Sequence, residues 1–284
     1  MAKHRGTWPV TWMCEVLDVS PSGFYGWLKR PPSARARYDT ELTKQIRLSF
    51  TESGGTYGVR RVWPDLLAWG YECGRERVSR LMRCAGLEAR PWRTRAPKDR
   101  GDRPESAIAP NLLDRDFSAP TPNTRWVADF TYVRTLEGWL FVAVVLDLFA
   151  RRVVGWSMKT RMTADLVTDA LIMAIWRRRP AISLLHHSDQ GSQYASDDFQ
   201  RVLAEHGIEC SMSRRGDVWD NSAMESFFST LKVERVYRRG IYRTRNEAKA
   251  DVFDYIERFY NPRRRHSTLG YLSPMEFEKQ AMPT

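Results

Sequence analysis

Apolar residues in the first part of the chain recur at helical spacing. In VLDVSPSGFYGWLKRPPS, apolar Val16, Leu17 and Val19 precede a Pro-Ser-Gly turn signal and the aromatic run Phe24, Tyr25 and Trp27, which predicts a short helix-turn-helix. Asp39 to Phe50 sets Leu42 and Ile46 on one helical face. A glycine-rich turn, Ser53 to Gly58, leads to a further helix carrying Val59, Val62, Leu66 and Leu67, in which Pro64 is expected to impose a kink or a boundary. From Arg75 to Ala85 the spacing turns Val78, Leu81, Met82 and Ala85 inward and leaves Arg75, Arg77, Arg80 and Arg83 outside. Six prolines between Pro91 and Pro122 then break the pattern. The chain therefore divides into a helical region over 1–90, a proline-rich basic linker over 91–121 and a second domain over 122–284.

Beyond the linker the period changes. TRWVADFTYV, GWLFVAVVLDLFA and RRVVGWSMK are β-type runs whose junctions are short enough for hairpins. Ala164 to Arg178 has helical spacing, ISLLHHSDQG reads as a fourth strand, Asp197 to His206 as a helix and IECSMS as a short fifth strand. The order β, β, β, α, β, α, β, α predicts a mixed-sheet α/β domain. Trp126, Trp139 and Trp156 fall in strands and are expected in the core or at a domain interface rather than as platforms for bases.

Charge adds a partner to this picture. The 45 Lys and Arg against 34 Asp and Glu give +11 and a pI near 9.7, which favours a polyanion, with nucleic acid ahead of a membrane surface. No stretch approaches a membrane span and no apolar run of signal-peptide length follows the N-terminus, so a cytoplasmic setting is expected. Four cysteines without CxxC spacing read as reduced thiols, and the absence of a GxxxxGK[ST] loop argues against nucleotide hydrolysis. Between Arg75 and Arg103, ten basic residues face four acidic ones. The Arg75, Arg77, Arg80 and Arg83 helix thus reads either as a DNA-facing surface or as the solvated face of a helical bundle.

Acids in apolar surroundings are costly unless paired or bound to metal, and few occur here. Asp129 interrupts a strand, Asp147 ends the most apolar strand, and Asp189 follows Leu184 and Leu185 at a strand end. Open α/β sheets place ligand sites at such ends. Taken singly, a strand-end Asp is usually a turn former or half of a salt bridge. Glu225 lies on a later helix and shares a face with Lys232, about two turns on. Asp220 and Asn221 read as an N-cap for that helix.

Three segments carry a resemblance. TRWVADFTYV, HSDQGSQY and GDVWDNSAMESFFSTLKVE resemble the three signatures of integrase-type transposases, and 35 residues separate Asp189 from Glu225, as in the Asp, Asp-35-Glu pattern. GTYGVRRV, RVSRLMRCAGL, GWLFVAVVLDLFARRVVGW and YNPRRRHSTLGYLSPMEFE resemble the OrfB transposases of the large insertion-sequence family typified by element number three. Ala150 stands where that family leads us to expect a hydroxyl residue. The resemblance implies a ribonuclease-H-like mixed five-stranded sheet behind a small helical DNA-binding region, with Asp129, Asp189 and Glu225 as catalytic metal ligands. It also implies cleavage of element ends and their joining to target DNA, an upstream-frame OrfA-type partner or frameshift fusion, and self-association on DNA.

The residue types suit that chemistry on their own. Phosphodiester exchange needs an activated oxygen in line with a leaving oxygen, and two ions about 4 Å apart can stabilise both. Hard carboxylates favour Mg2+ or Mn2+ over zinc. Ser188 and Tyr194, the alternative nucleophiles, have no arginine and histidine arrangement in their motif. Lys232 reads as a phosphate contact or as a solvent-facing cation. Arg263, Arg264 and Arg265, just after Pro262, read as a phosphate-binding loop.

Overall fold

The computed structural model describes residues 1–89, 108–180, 183–214 and 218–282. They fall into two compact units, Met1–Glu88 and Ala89–Thr284. No helix among the described residues is long and apolar enough to cross a membrane.

The first unit is helical. α1 (Val10–Val16) and α2 (Pro21–Lys29) are the two expected helices, but Pro21, Ser22 and Gly23, expected as the turn between them, form the first turn of α2, which the Ser20 hydroxyl caps by accepting from the Gly23 N–H at 3.0 Å. α3 (Ala34–Glu52), α4 (Val59–Ala68) and α5 (Arg75–Cys84) pack through Leu42, Ile46, Val62, Leu66, Val78, Leu81 and Met82, all buried. Pro64 neither starts nor ends α4 but lies inside it.

The second unit is built on a five-stranded sheet of β1 (Arg125–Thr135), β2 (Gly138–Asp147), β3 (Arg152–Lys159), β4 (Leu185–Ser188) and β5 (Glu209–Met212), in the order β3-β2-β1-β4-β5. β1, β2 and β3 run antiparallel through hairpins, while β4 and β5 join parallel to β1. α6 (Ala164–Arg178) and α7 (Asp197–Glu205) share one core with the sheet around Trp126, Ala128, Val145, Leu171, Tyr194 and Phe199. α6 comes unusually close to β3 because residue 155 is glycine. A Cβ there would stand 2.1 Å from the Ala170 carbonyl oxygen and 2.8 Å from the Ala174 methyl.

Of the linker, residues 90–107 lie outside the described residues. From Ile108 the chain belongs to the second unit: Ile108 and Ala109 pack on the sheet core and Leu113 is buried. C-terminal to the sheet come α8 (Ser222–Leu231), a π-helical stretch Lys232–Val236, the single turn α9 (Tyr237–Arg239), α10 (Arg245–Asp254), a second π-helical stretch Tyr255–Tyr260 and α11 (Pro274–Ala281). In this tail α8 and α10 pack on β1 and β2, and Asn261 reaches the outer edge of the sheet. The Asn261 side chain accepts from the Val153 N–H and donates to the Val153 carbonyl, both at 2.9 Å, replacing a neighbouring strand for that residue.

Candidate active site

The sheet register brings the first two acids together. β1 and β4 pair as far as Val127 with His187, and two further steps along both strands set Asp129 level with Asp189, where the strands part. The Phe130 N–H donates to Asp129 Oδ1 at 2.7 Å, and the Gly191 N–H to Asp189 Oδ1 at 2.9 Å. Gly191 is required for this fit, since a Cβ would stand 2.8 Å from Asp189 Oδ1. Glu225 enters from α8, in its first turn, where the helix dipole favours an acid. Met224, Phe227, Phe228 and Leu231 bury the opposite face of α8 and leave Glu225 exposed.

The electrostatics of the three acids are lopsided. Burial, then the charge of Asp189, pushes the Asp129 carboxyl well above the usual carboxylate range, with a further push from Glu225. The Phe130 N–H and Lys232 oppose the shift without cancelling it. Asp129 retains some surface, so the effective medium is a dense protein wall with an opening rather than a sealed core. Partial desolvation by the neighbouring protein also raises Glu225, although its side chain is exposed. Among the described residues no three His, Cys, Asp or Glu side chains are gathered closely enough to enclose an ion. Asp129 and Asp189 form a like-charged pair and Glu225 stands further out.

Lys232 reaches this site. Its Nζ lies 5.2 Å from the ring centroid of Tyr132, burial lowers its pKa, and the Asp129 charge opposes that shift. The two histidines before Asp189 serve the scaffold. Burial pushes His186 down to about 3 and His187 to about 4, so both are neutral. His186 packs on Phe199 with centroids 5.3 Å apart, and His187 Nδ1 lies 2.8 Å from Ser211 Oγ. Tyr194 is fully buried, and burial, then the charges of Asp129 and Asp189, pushes its hydroxyl well above the usual range. The Ser188 hydroxyl donates to the Asp189 carbonyl at 3.0 Å.

Several expected DNA contacts are engaged within the protein. Arg77 Nε and Arg80 Nη2 each lie 2.6 Å from the Asp39 carboxylate, and Arg77 also stacks over Tyr38. Arg75 and Arg83 are exposed. Arg264 departs most from the expectation of a phosphate loop. It is buried and grips Glu234 through two bonds of 2.9 Å, while Tyr255 donates to the same carboxylate at 2.9 Å. A cation already neutralised in the core has no charge to give a phosphate. Arg265 is half-buried and donates to the Tyr271 carbonyl at 3.0 Å, and Arg263 is exposed.

Sequence reasoning also misplaced Asp220. Neither it nor Asn221 caps α8 through its side chain. Instead Asp220 has no solvent contact and accepts five hydrogen bonds: from the Arg214 N–H, Nε and Nη2, from Arg115 Nε and from Asn111 Nδ2, all between 2.9 and 3.0 Å. These donors, Arg214 first, hold its carboxyl far below the usual range. Asp220 thus ties the segment entering the domain, the end of β5 and the start of the Glu225 helix into one knot. Asp147, fully buried at the end of β2, is a turn former: it accepts from the Asn123 and Phe149 N–H groups at 2.8 and 2.9 Å.

A mixed sheet carrying acids where β1 and β4 diverge is the class of the integrase-core proteins. Models described as "Integrase core domain" match residues 119–218 and 225–282, and one described as "HTH-like domain" matches residues 37–96. Transposase InsF of insertion sequence IS3fB from Escherichia coli K12 is 42% identical over 283 residues, covering 98% of this chain and 96% of that protein. A 31 kDa uncharacterized protein of insertion element IS600 from Shigella sonnei is 40% identical over 270 residues, covering 94% of this chain and 98% of that one. The chain belongs to the IS3 family of insertion-sequence transposases. Solved structures resemble it more distantly. The HTLV-2 integrase catalytic core in complex with magnesium is 16% identical over 56% of this chain and 99% of its own, with a TM-score of 0.44. A simian T-cell lymphotropic virus intasome chain is 17% identical over 82% and 74%, with a TM-score of 0.47.

Proposed function

We propose that Asp129, Asp189 and Glu225 are the catalytic carboxylates of this transposase and that they cut and join DNA with the help of Mg2+ or Mn2+. The observation that carries this reading is the sheet register, which sets Asp129 level with Asp189 where β1 and β4 part, with Glu225 entering from the first turn of α8. Such a cluster requires protons or a cation, and an all-oxygen donor set suits a hard divalent ion. Asp129, Asp189 and Glu225 would be the residues that hold the metal. Two bound ions would activate the attacking oxygen and stabilise the leaving one. The chain's own residues would do the rest. Gly191 fixes the Asp189 carboxylate, the apolar stripe of α8 anchors Glu225, and Lys232 meets a phosphate beside them.

The helical unit would hold the DNA, with Arg75 and Arg83 as its contacts, and Arg263 would serve on the core. Arg77 and Arg80 would shape the surface through Asp39 rather than touch a phosphate. An upstream-frame OrfA-type partner, or a fusion to it, would supply tight recognition of the terminal repeats, and two copies would bring two ends together. A gel shift with this chain alone is expected to show weak, salt-sensitive binding with little sequence preference. Tight selective binding would remove the need for the partner. A labelled element end incubated with Mg2+ or Mn2+ tests the reaction. Product joined to a second duplex supports a transposase, while hydrolysis without joining would make the chain a nuclease.

A further inference from the structure

Trp139 is not where a strand tryptophan is expected. Trp126 is fully buried, and Trp156 is half-buried with its Nε1 donating to Glu257 at 2.7 Å, but Trp139 is 47% exposed. It packs against Tyr132 almost perpendicularly, with centroids 5.1 Å apart and planes at 78°. Tyr132 in turn has the Lys232 ammonium 5.2 Å from its ring centroid, and Lys232 is the cation that feels Asp129. The exposed Tyr237 lies close enough to Tyr132 for its charge to raise the Tyr132 hydroxyl, after the larger effect of burial. A continuous path of side chains therefore leads from the carboxylates, through Lys232 and Tyr132, to an uncovered indole.

Spacing and charge say what fits there. Trp139 pairs with Arg134, five residues along β1 from Asp129, which is roughly 17 Å at the rise of a strand. At about 3.4 Å per step of a stacked duplex, and more for an unstacked strand, this is at most about five nucleotides. Cations border the path: Lys232 at one end, and at the other the exposed Arg134 and the half-buried Arg245, whose Nε donates to the Trp139 carbonyl at 3.2 Å. Aromatic faces interleaved with cations suit a strand whose bases are unstacked. A base inside a duplex has both faces taken by its neighbours, so a free face exists at a frayed or single-stranded position.

We propose that Trp139, buttressed by Tyr132, stacks on an unpaired nucleobase of the DNA strand held at the carboxylate site, within about five nucleotides of the reacting phosphate. The inference rests on the carboxylate reading above and deepens it. It separates the two ends of the path: Lys232 meets the phosphate backbone and Trp139 meets a base, so their losses differ in kind.

The test uses the full chain, with calcium in place of a catalytic metal. Affinity is measured for a blunt duplex and for the same duplex with a short single-stranded tail carrying 2-aminopurine. The parent is expected to prefer the tailed end and to quench the probe, Trp139→Phe to retain both, and Trp139→Ala to lose about tenfold on the tailed end alone, in keeping with one lost stacking contact. Equal weakening on both DNAs, no weakening, or a change of Trp139→Ala from dimer to monomer without DNA would each overturn the proposal, the last by making the indole a contact between copies. Cleavage by the parent in Mg2+ is scored alongside. Cleavage with an indifferent Trp139 would sink the stacking site alone, whereas cleavage that survives Asp189→Asn would sink the carboxylate reading and the inference that rests on it.

Discussion

Asp129 and Asp220 belong to the same domain, and their surroundings treat them in opposite ways. Asp220 has two arginines, an asparagine and a main-chain N–H around its two oxygens, and its charge is fully met. Asp129 has a main-chain N–H, a half-buried lysine further off, and the negative charge of Asp189 beside it. An acid with matched donors stabilises the fold that supplies them. An acid held against like charge costs stability until a proton or a cation arrives. The comparison separates a carboxylate whose charge the fold meets from one that the fold holds against like charge.

The largest effect on stability is expected from Asp220→Ala, which leaves Arg214 and Arg115 facing an empty space below the surface. Both arginines are about half exposed and can return to water, so the loss of their hydrogen bonds to this buried carboxylate costs about 2 kcal/mol, and thermal melting should fall by several degrees. Because the Asp220 carboxyl is depressed in the fold, its contribution is present above the ordinary Asp range and lost as acid protonates it. Parent and variant should therefore converge at low pH. A variant as stable as the parent at pH 7 would show that the knot is ornamental.

Gly191→Ala should leave stability nearly unchanged and act on the reaction. The added methyl must displace the Asp189 carboxylate, and an ångström of misplacement at a reacting centre costs on the order of a hundredfold in rate. Normal turnover by this variant would mean that Asp189 does not have to sit where the Gly191 N–H holds it.

The smallest effect has the opposite sign. Asp129→Asn removes the like-charge repulsion and should stabilise the metal-free protein by about 1 kcal/mol. The Asp129 carboxyl is raised in the fold, so its cost is absent below the ordinary Asp range and grows as pH rises through the folded value. The gain from asparagine should thus be larger at pH 8 than at pH 5. Added Mg2+ should stabilise the parent more than the variant. A destabilised Asp129→Asn at pH 8 would place Asp129 with Asp220 among the structural acids.

The difference between the two acids was only half legible in the sequence. The strands were plain, because the apolar runs from Trp126 to Met158 and the helical spacing of Ala164 to Arg178 are set by local periodicity. Asp129, Asp189 and Glu225 stood out as acids in apolar company within recognisable motifs. What sets Asp220 apart is long-range: Asn111 and Arg115 lie more than a hundred positions earlier, and no period links them to it. The same holds for Arg264, which looked free among three arginines until Glu234 and Tyr255 were seen to enclose it. Short tracts of charge say that cations exist, and only the fold says which of them are already matched. Trp139 misled for a related reason, since a strand position fixes alternation but not whether another element covers that face.

The most direct test of the account is a cleavage and joining assay on a labelled DNA end, titrated with Mg2+ or Mn2+, comparing the parent with Asp189→Asn and Glu225→Gln. The account predicts metal-dependent joined product from the parent and a loss on the order of a thousandfold in each variant, as for removal of a group that stabilises transition-state charge, with both variants still folded and still binding DNA. Joining that survives both substitutions would contradict it.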